Sequence, residues 1–428
     1  MKINQQNEGS ERKKRVKINQ QNQNKQRKMK VRQGAESNTL LLVFAVVVSA
    51  LCVGLSQALD NGLARTPPMG WNSWNHWGCN INETIIVETA KAMRANGMLA
   101  AGYQYVNVDD CWASSRLPNG TITADPVTFP HGIAWLAQQV HSLGFKFGIY
   151  TCAGNLTCAG RPGSRGYECI DAQTYASWGV DYVKEDWCNT EGLEPQSAYS
   201  TMRDCLNATG RPIVFSLCDW GRGKVWQWGN STGNLWRTTQ DIKDFWWSMI
   251  LNFDEQHGLA KYAGPGGWND PDMLEVGNGG MTFSEYQAHF SLWAMLAAPL
   301  IAGNNPIQLD AQTLSILLAP EIIAVDQDPL GVEASTIDHD FVKGSQILAR
   351  PLFSSQSTQQ LWAVLLFNRR EHKQTITLNF DSISPQYSNR VASIRDLWAR
   401  SNLGSFTGSY STSVPARSVV VLKLTFSS

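Results

Sequence analysis

Between Pro68 and Asn304 the chain repeats one local pattern eight times: a short β-prone run that stops at polar or charged residues. The runs are "PMGWNSW", "QYVNVDD" ending at Asp109 and Asp110, "FKFGIYT" near Tyr150, "VDYVKED" at Asp186, "PIVFSLCDW" near Asp219, "LWRTTQD" at Asp241, "GGWNDPD" at Asp272 and "APLIAGN" near Asn304. Most are separated by helical patterns such as "ETIIVETAKAMRANGM" and "TYASWGV". Eight β-then-α units in roughly 270 residues is the count of a (β/α)8 barrel, an α/β fold that places its chemistry at the carboxyl ends of its strands. One charged strand end could be a solvated rim. Several converging on one mouth need another reason.

The run "YVKEDWC" sharpens the question, because two carboxylates stand side by side. Side chains alternate along a strand. Tyr182, Lys184 and Asp186 share one face, and Val183 and Glu185 share the other. If Lys184 and Asp186 face the mouth, Glu185 does not. Asp186 is then the candidate for chemistry, and Lys184 its neighbour, favouring the ionised carboxylate. On strand logic alone, a structural ion pair between the two is an equal reading.

The rest of the chain has a different texture. After "DQDPLG" the runs "LWAVLLFNR", "TITLNF" and "RSVVVLKLTF" are β-prone and separated by polar turns, without a convincing helix. They predict an antiparallel β domain over 332–428, a sandwich, following a barrel over 59–331. Residues 1–58 carry 11 Lys and Arg against 3 Asp and Glu, which leaves 25 basic and 33 acidic side chains in 59–428, a formal charge of −8. Nothing in the body resembles a basic nucleic-acid groove. The Gln/Asn/Lys-rich start, with "KINQQN" twice, is predicted to be disordered. It leads into the 16-residue apolar run Leu40–Leu55, with small residues Ser56 and Ala58 beyond it. A span wants about 20 apolar residues, so a secretory signal cleaved after Ala58 is expected, with an uncleaved signal anchor as the alternative. Met29 would start a signal of ordinary length. Sequons at Asn82, Asn119, Asn155, Asn207 and Asn230 fit export as a glycoprotein, to the outside or to a vacuolar or lysosomal compartment. Cleavage would remove Cys52 and leave eight of the nine cysteines, which an oxidising compartment could pair. No CxxC or HExxH metal pattern occurs.

The segments "LDNGLARTPPMGWNSWNHWGCN", "VNVDDCW", "GVDYVKEDWCN", "RTTQDI" and "PGGWNDPDMLEVGNGGM" resemble the melibiase family, the α-galactosidases of glycoside hydrolase family 27, plant and fungal members in particular. The resemblance runs in order from about Leu59 to about Gly331. It implies a barrel plus an antiparallel β domain, retaining hydrolysis of terminal α-D-galactosides, and no metal or other cofactor. It implies Asp186 as nucleophile and Asp241 as general acid/base. Asp109 and Asp110 match the pair that binds the O4 and O6 side of galactose, and Lys184 and Arg237 the cations that hold ring hydroxyls. Trp74 and Tyr150 match aromatic walls, Asp272 and Met273 another pocket edge, and Cys218 and Trp220 the space around O2. Cys79–Cys111 and Cys158–Cys188 match family disulfides, the second beside the nucleophile and so placing Cys158 at the substrate pocket. The partner implied is an α-galactoside, with no nucleic acid, no membrane once the signal is cleaved, and self-association left open. Part of the 17 Trp fills core, and clusters such as "WNSWNHW" suit sugar faces.

Chemistry agrees with these roles. Retaining hydrolysis needs one carboxylate and one carboxylic acid across the anomeric carbon. Like charges nearby raise the pKa of one, so Asp241 is expected to stay protonated while Asp186 is ionised. Three departures from the family pattern stand out. Glu185 replaces a common Tyr or Phe, Asp219 replaces a common Glu, and Cys152 and Cys169 lie outside the two-bridge set, a bridge between them being one option. α-N-Acetylgalactosaminidase and β-L-arabinopyranosidase are the alternatives within the family, and a non-catalytic galactose-binding protein the alternative outside it. The intact Asp186/Asp241 pair weighs against the last.

Overall fold

The computed structural model describes residues 61–427, so the basic leader, the apolar run and the expected cleavage position lie outside it. All eight expected runs contain a strand: β1 (Met69–Asn72), β2 (Tyr105–Asn107), β3 (Lys146–Cys152), β4 (Tyr182–Asp186), β5 (Val214–Cys218), β6 (Leu235–Arg237), β7 (Trp268–Asp270) and β8 (Leu300–Ala302). They are parallel and hydrogen-bonded in the order β8-β1-β2-β3-β4-β5-β6-β7. Leu274 closes the ring: its N–H donates to Ile301 O (2.8 Å) and its carbonyl accepts from Gly303 N (2.9 Å). Several strands are shorter than their runs. Asp109, Asp241 and Asp272 therefore stand two to four residues past a strand, on the loops of the mouth.

Helices cover the outside as the patterns predict. "ETIIVETAKAMRANGM" forms Glu83–Ala95 and then Met98–Ala101. Asn82 starts the first, its side chain accepting from Ile85 N. Its last turn is followed by Gly97, whose φ of 93° reverses the chain. Cys79–Cys111 and Cys158–Cys188 are paired as expected. The third bridge is Cys169–Cys205, not Cys152–Cys169. It ties helix Glu168–Trp178 to its neighbour Pro195–Ala208, whereas Cys152 is a buried free thiol donating to Cys188 O. Among the described residues no helix is long and apolar enough to cross a membrane.

The last barrel helix is Pro320–Asp326, and all later regular elements are strands apart from short turns of helix. The strands are β9 (Ser335–Asp340), β10 (Ser345–Leu352), β11 (Gln359–Asn368), β12 (Gln374–Asn379), β13 (Val391–Asp396), β14 (Ser401–Thr407), β15 (Ser409–Val414) and β16 (Ser418–Ser427). Six form an antiparallel sheet in the order β9-β10-β11-β16-β13-β14, and β12 pairs with β15 opposite it. Alternation splits β11. Val364 and Leu366 join the sandwich core with Ile376, Leu378 and Leu424, while Ala363, Leu365 and Phe367 join the core of the barrel. Burial on both faces is why "LWAVLLFN" reads as an unbroken apolar run.

Phe367 packs edge-on against Trp246 (5.9 Å) and Phe253 (6.1 Å) of a barrel helix. Phe367→Ala removes both contacts from a fully buried site, and a loss of about 3–5 kcal/mol is expected. Denaturant unfolding should show it as one shifted transition. A loss below about 1 kcal/mol would mean that the site collapses onto the smaller side chain.

Candidate active site

The barrel mouth opens into a cavity of ≈ 530 Å³. Twelve of the thirteen expected site residues line it: Trp74, Asp109, Asp110, Tyr150, Cys158, Lys184, Asp186, Trp220, Arg237, Asp241, Asp272 and Met273. Strand register accounts for the inner layers. Lys184 lies level with Tyr150 and Ser216, and Asp186 level with Cys152 and Cys218. Parallel partners point to the same side, so one turn of pleat separates the cation from the carboxylate.

Asp186 is almost dry, and its two oxygens are separately held. Trp187 N–H donates to Oδ1 (2.8 Å) and Tyr150 O–H to Oδ2 (3.0 Å). The Cys158–Cys188 bridge lies beside it, and Tyr150 O–H also approaches Cys158 Sγ at 3.4 Å. Lys184 favours the charge of Asp186, as expected of a neighbour, but the ion pair that was the equal reading does not form. Instead the lysine ammonium bonds Asp109 Oδ2 at 2.8 Å, which also accepts from Asn72 Nδ2 (2.7 Å). Asp110 accepts from Ala159 N (2.8 Å) and Cys111 N (2.7 Å). Both carboxylates of the Asp109-Asp110 pair are thus fixed before any ligand arrives.

Arg237, at the end of β6, is 3% exposed. Its Nη2 lies 3.0 Å from both Asp241 Oδ1 and Asp272 Oδ2. Asp272 holds left-handed backbone (φ 83°), and its carboxylate also accepts from Ile242 N (2.8 Å) and Met273 N (2.8 Å). Cys218 was expected on the cavity wall. It is buried behind Arg237, with Sγ 3.6 Å from Nη1, and does not line the cavity. Trp220 does, from left-handed backbone (φ 56°) that costs a bulky residue about 1–2 kcal/mol. The next residue pins that turn: Gly221 N–H donates to Arg237 O (3.0 Å) and Asp219 Oδ1 (3.2 Å). Arg222 stacks over the Trp220 ring at 4.7 Å. Asp219 is buried, and burial pushes its carboxyl up to about 7.

The two central carboxylates titrate in the order opposite to that expected. Burial pushes Asp186 up to about 6, against Lys184, the Trp187 N–H and Arg237, which favour its charge. Burial works on Asp241 as well, but Arg237 and Lys184 outweigh it and hold that carboxyl below the usual range. Asp241 is also the wetter group, its side chain 65% exposed. Like-charge repulsion with Lys184 beside Asp186 gives the opposite order in sequence, where the pairing of Arg237 with Asp241 and Asp272 is not visible.

Glu185 points away from the cavity, as alternation requires. Neither of its oxygens has a hydrogen-bond partner. Burial, with Glu168 and Asp171 nearby, holds its carboxyl well above the usual range. Sequence reasoning missed Glu275, which lines the cavity and accepts from Asn75 Nδ2 (2.6 Å) and Asn278 Nδ2 (2.5 Å). The signal was present as an acid inside the apolar stretch "MLEVG". Among the described residues, the atoms of Cys158, Asp186 and Cys188 come within 4.8 Å of one another as metal ligands could, but both sulfurs are consumed by the disulfide.

The family model described as alpha galactosidase A matches residues 66–328, and that of the alpha galactosidase C-terminal β-sandwich domain matches 343–424. The chain is 52% identical to a probable alpha-galactosidase of Dictyostelium discoideum, over 90% of this chain and 99% of that protein. It is 47% identical to alpha-galactosidase 3 of Arabidopsis thaliana, over 91% and 89% of the two chains. The crystal structure of alpha-galactosidase I from Mortierella vinacea superposes with a TM-score of 0.80 at 38% identity, covering 85% of this chain and 98% of that one. The structure of the Saccharomyces cerevisiae enzyme with raffinose gives 0.82 at 30% identity, covering 86% and 99%. With models matching both domains and relatives of this identity along nearly their whole length, the chain belongs to the melibiase family, the α-galactosidases of glycoside hydrolase family 27.

Proposed function

We propose that this protein is a retaining α-galactosidase, with Asp186 as nucleophile and Asp241 as acid and base. The observation that carries the assignment is the contrast between the two groups on one cavity: Asp186 dry and doubly hydrogen-bonded, Asp241 exposed on a loop beside Arg237. Asp186 attacks the anomeric carbon, and the bond to the leaving oxygen breaks as Asp241 gives that oxygen its proton. The product is a galactosyl ester of Asp186. Asp241, now a base, takes a proton from water, which attacks the same carbon, releasing galactose and free Asp186. Asp109, Asp110 and Lys184 are placed to bind the sugar hydroxyls and Trp74 and Tyr150 to wall the ring. The three disulfides and four exposed sequon asparagines (Asn119, Asn155, Asn207, Asn230) support passage through an oxidising secretory compartment as a glycoprotein.

One proton serves the pair. Between the lowered value of Asp241 and about 6, the sugar-free site holds a single proton, mostly on Asp186. A bound galactoside covers Asp241, and its hydroxyls compete for Arg237. Both effects raise Asp241 and move the proton to where the leaving group needs it. Above about 6 the pair loses that proton altogether. kcat/KM should therefore fall as pH rises through about 6, and fall again in strong acid when both carboxyls are protonated. The kcat limb should lie at higher pH than the kcat/KM limb. A kcat/KM profile flat from pH 6 to 8 would exclude this proton inventory.

Asp186→Asn should abolish turnover of every α-galactoside. Asp241→Asn should cost about 10²–10⁴-fold on substrates with poor leaving groups and far less in the glycosylation of substrates with very acidic ones. Mass spectrometry of a trapped fluorosugar adduct locates the nucleophile, and an adduct on Glu185 would overturn the assignment.

Trp220 favours galactose over N-acetylgalactosamine. An indole beside the sugar's 2-position leaves no room for an acetamido group, and overpacking costs about 1–3 kcal/mol. At about 1.4 kcal/mol per factor of ten, a preference of about 5- to 100-fold in kcat/KM is expected on matched aryl glycosides, narrowing in Trp220→Ala. Equal efficiency on the two sugars would place Trp220 elsewhere and favour the α-N-acetylgalactosaminidase reading.

A further inference from the structure

Trp247 is the one exposed tryptophan among the 17, at 61%. Phe245 and Phe283 are exposed as well. All three stand at the starts of helices that follow β6 and β7, namely Trp246–Asp254, with Phe245 just before it, and Phe283–Met295. In a (β/α)8 barrel the start of such a helix lies on the face that carries the mouth.

Contacts join the two helix starts into one surface. Asp244, on the cavity wall, accepts from Gly280 N (2.5 Å) and Tyr286 O–H (2.8 Å). A Cβ on Gly280 would fall 1.9 Å from Asp244 O, so only glycine allows this approach of the two loops. Arg417 reaches over from the sandwich and pairs with Glu285 (2.9 Å), which closes the capping box opened by Thr282. Its guanidinium lies 5.9 Å from the ring centroids of Trp246 and Trp247, and Glu371 pairs with its other nitrogen at 2.5 Å. Trp247 is thus steadied by a fixed cation yet mostly open to water. Three residues of chain bring it within about 11 Å of Asp244. The same loop carries Asp241 and Lys243, over which the leaving group must depart.

Single exposed apolar residues are ordinary. Here three exposed aromatics stand at two helix starts that Asp244 and Arg417 tie together beside the cavity. We propose that Phe245, Trp247 and Phe283 form a platform that binds the backbone of a polymeric galactoside while one of its galactosyl branches occupies the cavity. This rests on the α-galactosidase reading above. The C–H faces of pyranose rings pack on flat aromatic faces, and Lys243, Glu371 and Arg417 stand around the patch as partners for hydroxyls. Polysaccharide is favoured over a second copy of the chain because Phe245 and Trp247 directly follow Asp241, Lys243 and Asp244, which line the cavity on the side of the proposed acid.

The test compares guar galactomannan with an aryl α-galactoside. Trp247 lies outside the galactosyl cavity, so Trp247→Ala should leave kcat/KM on the aryl substrate within about twofold, which also certifies folding. On galactomannan the same variant should lose about tenfold in kcat/KM, through KM. Phe245→Ala should act in the same direction, and Trp247→Phe, which keeps a flat face, should recover most of the loss. Equal losses on both substrates, no loss on either, or a change of oligomeric state in place of the polymer effect would each overturn the platform. Failure of the unmodified enzyme to cleave the aryl α-galactoside would instead remove the activity on which it rests, and the platform with it.

Discussion

Arg237 carries a full charge at 3% exposure, and that burial is possible only because carboxylates flank it. An isolated guanidinium taken out of water at this depth would cost several kcal/mol. Asp272 and Asp241 offset the cost, and in doing so the arginine fixes the loop after β6 against the loop after β7. Lys184 and Asp109 do the same between β4 and β2. The mouth is therefore braced by charge as much as by apolar packing. Asp109, Asp110, Asp186, Asp241 and Asp272 outnumber Lys184 and Arg237, the two cations that pair with them on the same cavity. The surplus, together with burial, is what keeps a proton near Asp186 and leaves the site dependent on pH.

Alternation along β4 divides the labour between its two carboxylates. Asp186 and Glu185 are neighbours in sequence and both buried, yet one receives two hydrogen bonds and the other none. Burial without partners raises the Glu185 carboxyl and so favours its uncharged form, which disturbs the charges in front of the strand less than a carboxylate would. A residue that breaks the family pattern is tolerated here because the pleat turns it away from the reacting carbon.

The barrel was legible because its strands carry a local pattern, repeated eight times, and the face of Asp186 followed from a period of two. The double burial of β11 was legible as an apolar run, though not its reason. What escaped depended on loops and on contacts distant in sequence. Lys184 chose Asp109 over Asp186, which no single strand could reveal. Cys169 chose Cys205 because the helices carrying them are neighbours. Cys218 fell behind Arg237, and Arg237 reversed the order of the two acids. Glu275 announced itself as an acid in an apolar stretch, but its role in joining Asn75 to Asn278 needed the closed ring.

The two acids also differ in access to water, and the mechanism explains why they should. The proposed nucleophile needs a fixed direction of attack, and water hydrogen-bonded to it would have to be stripped at each turnover. At 6% exposure, with both oxygens held by the protein, Asp186 has little to strip. The proposed acid must hand its proton to a departing group of variable size and then find a water molecule in the same place. A closed site would trap the first product and exclude the second reactant. Asp241 sits on the open loop, held by one arginine rather than by the strand. The cavity is thus tight where the galactosyl ring must be recognised and open where the bond is broken, and the polarity of the site follows from which strand end and which loop each aspartate occupies.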